Sequence, residues 1–194
     1  RLLVGTLSPA VAVSPLAFLA DWQMKLAHLP GLAKLAWLSI DREYDPYKYN
    51  SFAVNAGAQI RRLTGRVSAL IQKQDSGSGM AGFPAVLAFQ SVVDATIPPE
   101  ALVDRLMHHL GADGHELVLF DVNRMAADLA LLRDDPYPAV TALFAEKQPF
   151  TLTFLTNRES ERHWLEERQK RSMESEMTTT PLNLQWPQGV FSLS

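Results

Sequence analysis

Two spacings of apolar residues alternate along this chain. Leu2–Leu7, Ala85–Gln90 and His115–Phe120 are short, nearly unbroken apolar runs, and Pro149–Thr156 is a fourth. Runs of that length suit strands buried in a sheet. Between them the apolar residues recur every three or four positions, which predicts helices. Ser14-Pro15 has the form of an N-cap followed by proline at the first helical position. It opens a helix that Pro30-Gly31 breaks after Leu29. Leu32–Ile40 is expected to be a second short helix, and Asp41–Phe52 an irregular polar-aromatic segment. Val54–Gln72 carries Ile60, Leu63, Val67 and Leu70 on one helical stripe. "KQDSGSGMAG" follows as a flexible polar loop.

In the second half, Pro98–Leu110 is an amphipathic helix with Gly111 placed to end it. Ala85–Asp121 is therefore strand, helix, strand, a unit that is almost always a right-handed crossover between parallel strands. Met125–Leu132 and Tyr137–Glu146 have helical spacing. Asn157 is expected to cap a charged helix from Arg158 to about Met177, and the last residues, "TTTPLNLQWPQGVFSLS", to be extended.

Composition narrows the chemistry. The chain has no cysteine, which excludes disulfides, thiolate-ligated zinc and a cysteine nucleophile. A formal net charge of -3 with scattered Lys and Arg gives no footprint for nucleic acid. The opening "RLLVGTLSPAVAVSPLAFLA" has the hydropathy of a signal or a span, but Pro9 and Pro15 interrupt it, so no transmembrane segment is expected. A chain that opens inside a strand is expected to be a piece of something longer. No cofactor is implied: there is no H-E-x-x-H, no His/Asp pair at ligand spacing on one helix face, and no phosphate-cradling glycine loop between a strand and a helix.

An acid, Asp94, stands just beyond the run Ala85–Gln90, ahead of Pro98-Pro99. In a parallel sheet, ligands bind outside the carboxyl ends of the strands. Asp121-Val122-Asn123-Arg124 would end the next strand on the same edge. Position alone serves two roles equally: a catalytic acid, or a carboxylate that supports the first turn of the helix.

"SVVDATIPPEALVDRL" followed by "GHELVLFDVNR" resembles the second half of an α/β-hydrolase, and "LLVGTLSPAV" resembles the strand that leads into that superfamily's lid. The resemblance implies an α/β fold, a partial α/β-hydrolase with a mostly parallel sheet of few strands. Residues 1–84 would be the first strand and a helical lid, and residues 85–194 the C-terminal half of the core. It also implies that Asp94 is the acid of a Ser-His-Asp triad, in chain order Ser, acid, His.

Two members of that triad are missing. No G-x-S-x-G occurs, and the serines of "DSGSGMAG" have the wrong spacing and follow a helix. The nucleophile is therefore expected upstream of Arg1. Among the histidines, His115 opens its strand at the wrong end of the sheet. His108 and His109 are expected on the surface, and His28 in a lid helix. His163 alone follows a strand at the right edge. The histidine is expected just after Ser194. The "YDPYKYNSF" stretch is an ordinary loop or a polar-aromatic rim, and Asp134-Asp135 a helix-ending turn rather than a cation site.

The expected function is thus that of a fragment of a serine hydrolase acting on an ester or lipid-like small molecule, inactive by itself. The alternative is a non-catalytic binding or assembly module of the same fold. If strands are missing upstream, an open edge remains and the chain should self-associate. The sequence leaves the compartment open.

Overall fold

The chain divides into two units, Arg1–Ala69 and Leu70–Ser194. A computed structural model describes residues 19–40, 51–80, 82–94, 96–112, 114–125, 135–161 and 163–192. The expected strand Leu2–Leu7, the Ser14-Pro15 cap, the segment 41–50 and most of Met125–Leu132 lie outside the described residues.

In the first unit, α1 spans Ala20–Ala27. The helix expected over Leu32–Ile40 is cut short. Only Ala33–Ala36 is helical, as a 3-10 turn, and the chain then enters strand β1, Trp37–Ser39. β1 pairs antiparallel with β2, Phe52–Ala53. Trp37 already has the extended backbone of a strand, with ψ 136°. Pairing with residues far along the chain outweighs a weak local helical preference. Helix α2, Val54–Gln74, follows, and its buried Val54 and Ala58 pack with Met24.

The second unit is built on a five-stranded sheet in the order β3-β4-β5-β6-β7. β3 (Leu87–Ser91), β4 (Glu116–Phe120) and β5 (Thr151–Asn157) are parallel, the first two as expected from the strand-helix-strand order of Ala85–Asp121. β6 (Trp164–Lys170) and β7 (Met177–Gln185) join them antiparallel. The sheet is therefore mixed, not mostly parallel. The segment responsible is Arg158–Met177, where a hairpin stands in place of the expected capped helix. That stretch is charged throughout and has no apolar stripe to bury as a helix. As a strand it can exchange backbone hydrogen bonds with β5 along six residue pairs, from Leu152↔Lys170 to Asn157↔Leu165.

Buried Lys170 fixes the register. Its Nζ donates to the carbonyls of Phe144 (2.6 Å) and Glu146 (2.8 Å), at the end of helix α4, Tyr137–Ala145. An ammonium is favourable there because the last carbonyls of a helix lack partners and carry partial negative charge.

Helix α3 runs through Pro99–Leu102, a π turn at Val103–Met107 and His108–Leu110. Gly111 ends it at φ 84°, a left-handed conformation that suits glycine. Its Leu102, Val103, Leu106, Met107 and Leu110 are all buried. The strands follow one another across the sheet in sequence order, so right-handed crossovers put α3 and α4 on one face. On that face Leu117, Leu119, Leu152 and Phe154 are fully buried, with the rings of Tyr137 and Phe144 tilted against Phe154. On the other face of β3, Leu87 and Phe89 remain 56% and 61% exposed. Phe89 stacks on Phe120 there, at 6.2 Å between ring centres.

The glycine-serine loop after α2 is tied down. Asp75 accepts N–H bonds from Gly77 (2.8 Å) and Gly79 (3.1 Å), and its other oxygen lies 2.6 Å from His109 Nδ1. The His109 hydrogen bond, followed by the Gly77 N–H, outweighs desolvation and holds the Asp75 carboxyl below its ordinary pKa. Gly79 lies against the backbone of Gly111, where an added Cβ would stand 2.4 Å from the Gly111 Cα.

Candidate active site

Parallel pairing of β3 with β4 puts Asp94 and Asn123 on the same rim, each three residues past the last ladder pair, Ser91↔Phe120. Asp94 is half-buried there. Its Oδ1 accepts the backbone N–H of Thr96 (2.8 Å) and of Ile97 (2.9 Å), closing an Asx turn that leads into α3. Its Oδ2 accepts Nε2–H of Gln90 at 2.9 Å. The same amide donates to the Ile97 carbonyl at 2.8 Å.

Gln90 is a polar residue on the helix-covered side of β3, only 8% exposed. A leucine would suit that side of the strand better, and burying an amide is costly unless it is bonded. Here its donors hold the carboxylate and the turn together. Sequence reasoning passed over Gln90, although a glutamine inside the run Ala85–Gln90 is the visible break in an apolar pattern.

Partial burial by itself raises the Asp94 pKa. The donors from Ile97, Gln90 and Thr96 outweigh it, and the carboxyl is held below its ordinary value. The ionised form is thus favoured by folding. That contribution is complete above the unfolded-chain pKa of about 4 and is lost as the pH falls through the lower, folded value. Urea titrations at pH 7 and pH 3 should therefore show wild type exceeding Asp94→Asn in stability by more at pH 7 than at pH 3. An equal gap at both pH values would mean that the carboxylate's charge contributes nothing to the turn.

The histidines separate by position. His115 is fully buried before β4, and its Nδ1 accepts the Val86 N–H at 3.0 Å, which leaves the ring proton on Nε2. It lies at the amino rim, opposite Asp94. His108 and His109 are not idle surface residues. His108 Nε2 lies 2.7 Å from Gln148 Oε1, and His109 meets Asp75. His163 is exposed, in the turn before β6. That turn lies beyond β5, two strands away from β3, and the hydrogen-bond partners of Asp94 are Gln90, Thr96 and Ile97, not His163. His28 belongs to the first unit. The described histidines thus leave Asp94 without an imidazole.

Beside it on the rim, the end of β4 forms a paired polar network. Asp121 is fully buried. It accepts from Arg124 Nε (2.6 Å), Arg124 Nη2 (3.1 Å), Thr156 Oγ1 (2.6 Å) and the Val122 N–H (2.8 Å). The Arg124 guanidinium also lies over the Tyr137 ring at 4.9 Å. Asp135 accepts the Tyr137 N–H at 3.0 Å, just ahead of α4, so it stands at a helix start and not at a helix end; its neighbour Asp134 lies outside the described residues.

A cleft of about 460 Å³ opens next to the end of β5, lined by Arg124, Tyr137, Thr156, Arg158 and Arg168 among others. Its guanidiniums already face Asp121, Glu161 and Glu166, so the cleft is a neutralised network rather than a free anion receptor. Among the described residues no group of His, Asp and Glu could hold a metal ion, and no helix is long and apolar enough to cross a membrane.

Comparison with models of known families, with curated proteins and with solved structures finds no match to this chain.

Proposed function

We propose that this chain supplies the acid of a Ser-His-Asp site in an α/β-hydrolase-type serine hydrolase that cleaves carboxylic esters or lipid-like acyl bonds. The supporting observation is Asp94: a carboxylate at the carboxyl rim of parallel strands, held by two backbone N–H groups and the Gln90 amide. In such a site the acid receives Nδ1–H of the histidine and holds the ring so that Nε2 can take the serine proton. The serine then attacks the acyl carbon, and the histidine returns the proton to the leaving group. Asp94 can fill the first of these roles because carboxylate oxygens accept more than one donor. The β6–β7 hairpin would extend the parallel part of that fold sideways. Serine and histidine would come from sequence beyond Arg1 and Ser194, and the 194-residue chain would not turn over substrate.

The test compares this chain with a longer one read in the same frame on both sides. Each is treated with a serine-reactive fluorophosphonate and with p-nitrophenyl esters of short and long acyl chains. The expected result is no label and no turnover from the 194 residues. The longer chain should show both, with the label on the serine of a G-x-S-x-G. A longer chain that neither labels nor hydrolyses ends the hydrolase reading. Turnover by the short chain that Asp94→Asn abolishes ends the idea of an outside serine and histidine.

A binding or assembly module is the second reading. The exposed Leu87 and Phe89 on β3, the edge strand among the described residues, favour it.

A further inference from the structure

We infer that Asn123 is a positioning residue that anchors the segment preceding the catalytic histidine to the rim carrying Asp94; this rests on the hydrolase reading above. The chain leaves β7 at Gln185, opposite Trp164, where β6 begins and β5 has just ended. β7 therefore ends at the carboxyl rim too, at the far side of the sheet from β3. The next residues turn at Pro187–Val190, where Val190 N–H meets the Pro187 carbonyl at 3.1 Å and Gly189 takes φ 77°. They then return across the rim to β4. Three strand spacings of about 4.8 Å are within reach of the six residues from Trp186 to Phe191, each spanning at most about 3.4 Å.

Asn123 receives them. Its backbone N–H donates to the Phe191 carbonyl at 2.7 Å, and its Nδ2–H donates to the Val190 carbonyl at 3.0 Å. Its Oδ1 in turn accepts the Met125 N–H at 3.2 Å, which orients the amide. Asn123 is 7% exposed, so these bonds are largely shielded from water. One bond would let the segment pivot; two bonds to consecutive carbonyls set its direction as well as its place. β4 is the strand next to β3, so a chain pinned at Asn123 is one spacing from the strand that presents Asp94. An imidazole on the residues that follow can then meet the carboxylate at hydrogen-bonding distance, about 2.6–3.2 Å. The clamp joins residues 67 positions apart in sequence, and only the folded chain reveals it.

The test uses Asn123→Ala, and Asn123→Asp, which keeps Oδ1 but turns the Nδ2–H donor into a charged acceptor facing the Val190 carbonyl. In the 194-residue chain, backbone heteronuclear NOEs at Val190–Ser192 should fall below those of wild type in both variants, because only the backbone bond from Asn123 to the Phe191 carbonyl remains, while the β4 and β5 amides keep their protection. In the longer, hydrolysing chain, kcat should fall about a hundredfold with KM within about twofold, the size of loss that a misplaced catalytic group causes. A tail as ordered as that of wild type in both variants refutes the Asn123 side chain as an anchor, whatever the function. A tail that loosens without any change in kcat refutes the positioning role. If the longer chain has no serine-dependent hydrolysis, the positioning role falls with the hydrolase reading, and the tail measurement still decides the clamp.

Discussion

In the longer chain of the proposed hydrolase, replacing Asp94 by Asn is expected to lower kcat by about ten-thousandfold, with little change in KM. Losses of about that size follow when the acid of such a triad becomes an amide. The substitution is nearly isosteric, so its effect is electronic. An asparagine cannot stabilise the imidazolium that forms as the serine proton is transferred, and its NH₂ favours the wrong ring tautomer. Locally the amide oxygen can still accept Thr96 N–H and Ile97 N–H. The NH₂ then points at Gln90 Nε2, donor against donor, where the carboxylate had accepted at 2.9 Å. That mismatch should cost about 1–3 kcal/mol of stability at neutral pH, the penalty for an unsatisfied polar contact. Thermal melts and steady-state kinetics on one preparation separate the two effects. A kcat loss under about tenfold with an intact fold would reduce Asp94 to a support of its turn.

The second large effect concerns stability. Asp121→Ala is expected to cost about 3–5 kcal/mol, as breaking a buried ion pair from one side does. Asp121 is fully buried and accepts four hydrogen bonds, from the side chains of Arg124 and Thr156 and from its own neighbour's backbone. Removing it leaves the Arg124 guanidinium, itself only 19% exposed, with the Tyr137 ring and, among the described residues, no carboxylate but the weaker 3.4 Å contact to Asp135. A loss of that size is a large part of the 5–15 kcal/mol that stabilises an ordinary domain. The double variant Asp121→Leu with Arg124→Met should recover most of it, because it removes both charges together. Asp135→Ala, which breaks only the half-exposed contact and the Tyr137 cap, should cost about 1 kcal/mol. Urea midpoints of the four proteins decide the matter. Equal losses for Asp121→Ala and Asp135→Ala would mean that the buried pair contributes no more than the half-exposed contact.

The β3-α3-β4 unit could be read before folding because each of its signals is local. An apolar run, a Pro-Pro helix start, a stripe at Leu102, Leu106 and Leu110, and a glycine stop all fall within about thirty consecutive residues. Parallel pairing follows from that order, and with it the place of Asp94 on the rim beside Asn123. The charged segment Arg158–Met177 misled for the opposite reason. Its residues are compatible with helix or strand, and the choice is made by the open side of β5 and by the α4 carbonyls that take up Lys170.

The sequence by itself determined that an α/β unit forms here, that no cysteine chemistry is possible, and that an acid follows a strand at its carboxyl end. Tertiary structure alone decided that the sheet is mixed, that Asp75 holds His109, that Arg124 turns back onto Asp121 under the Tyr137 ring, and that Asn123 takes hold of Val190 and Phe191. Periodicity and capping act between residues within a few positions of one another. Most of these pairings join groups more than thirty positions apart, and their partners are chosen by which ends of the strands the fold brings together.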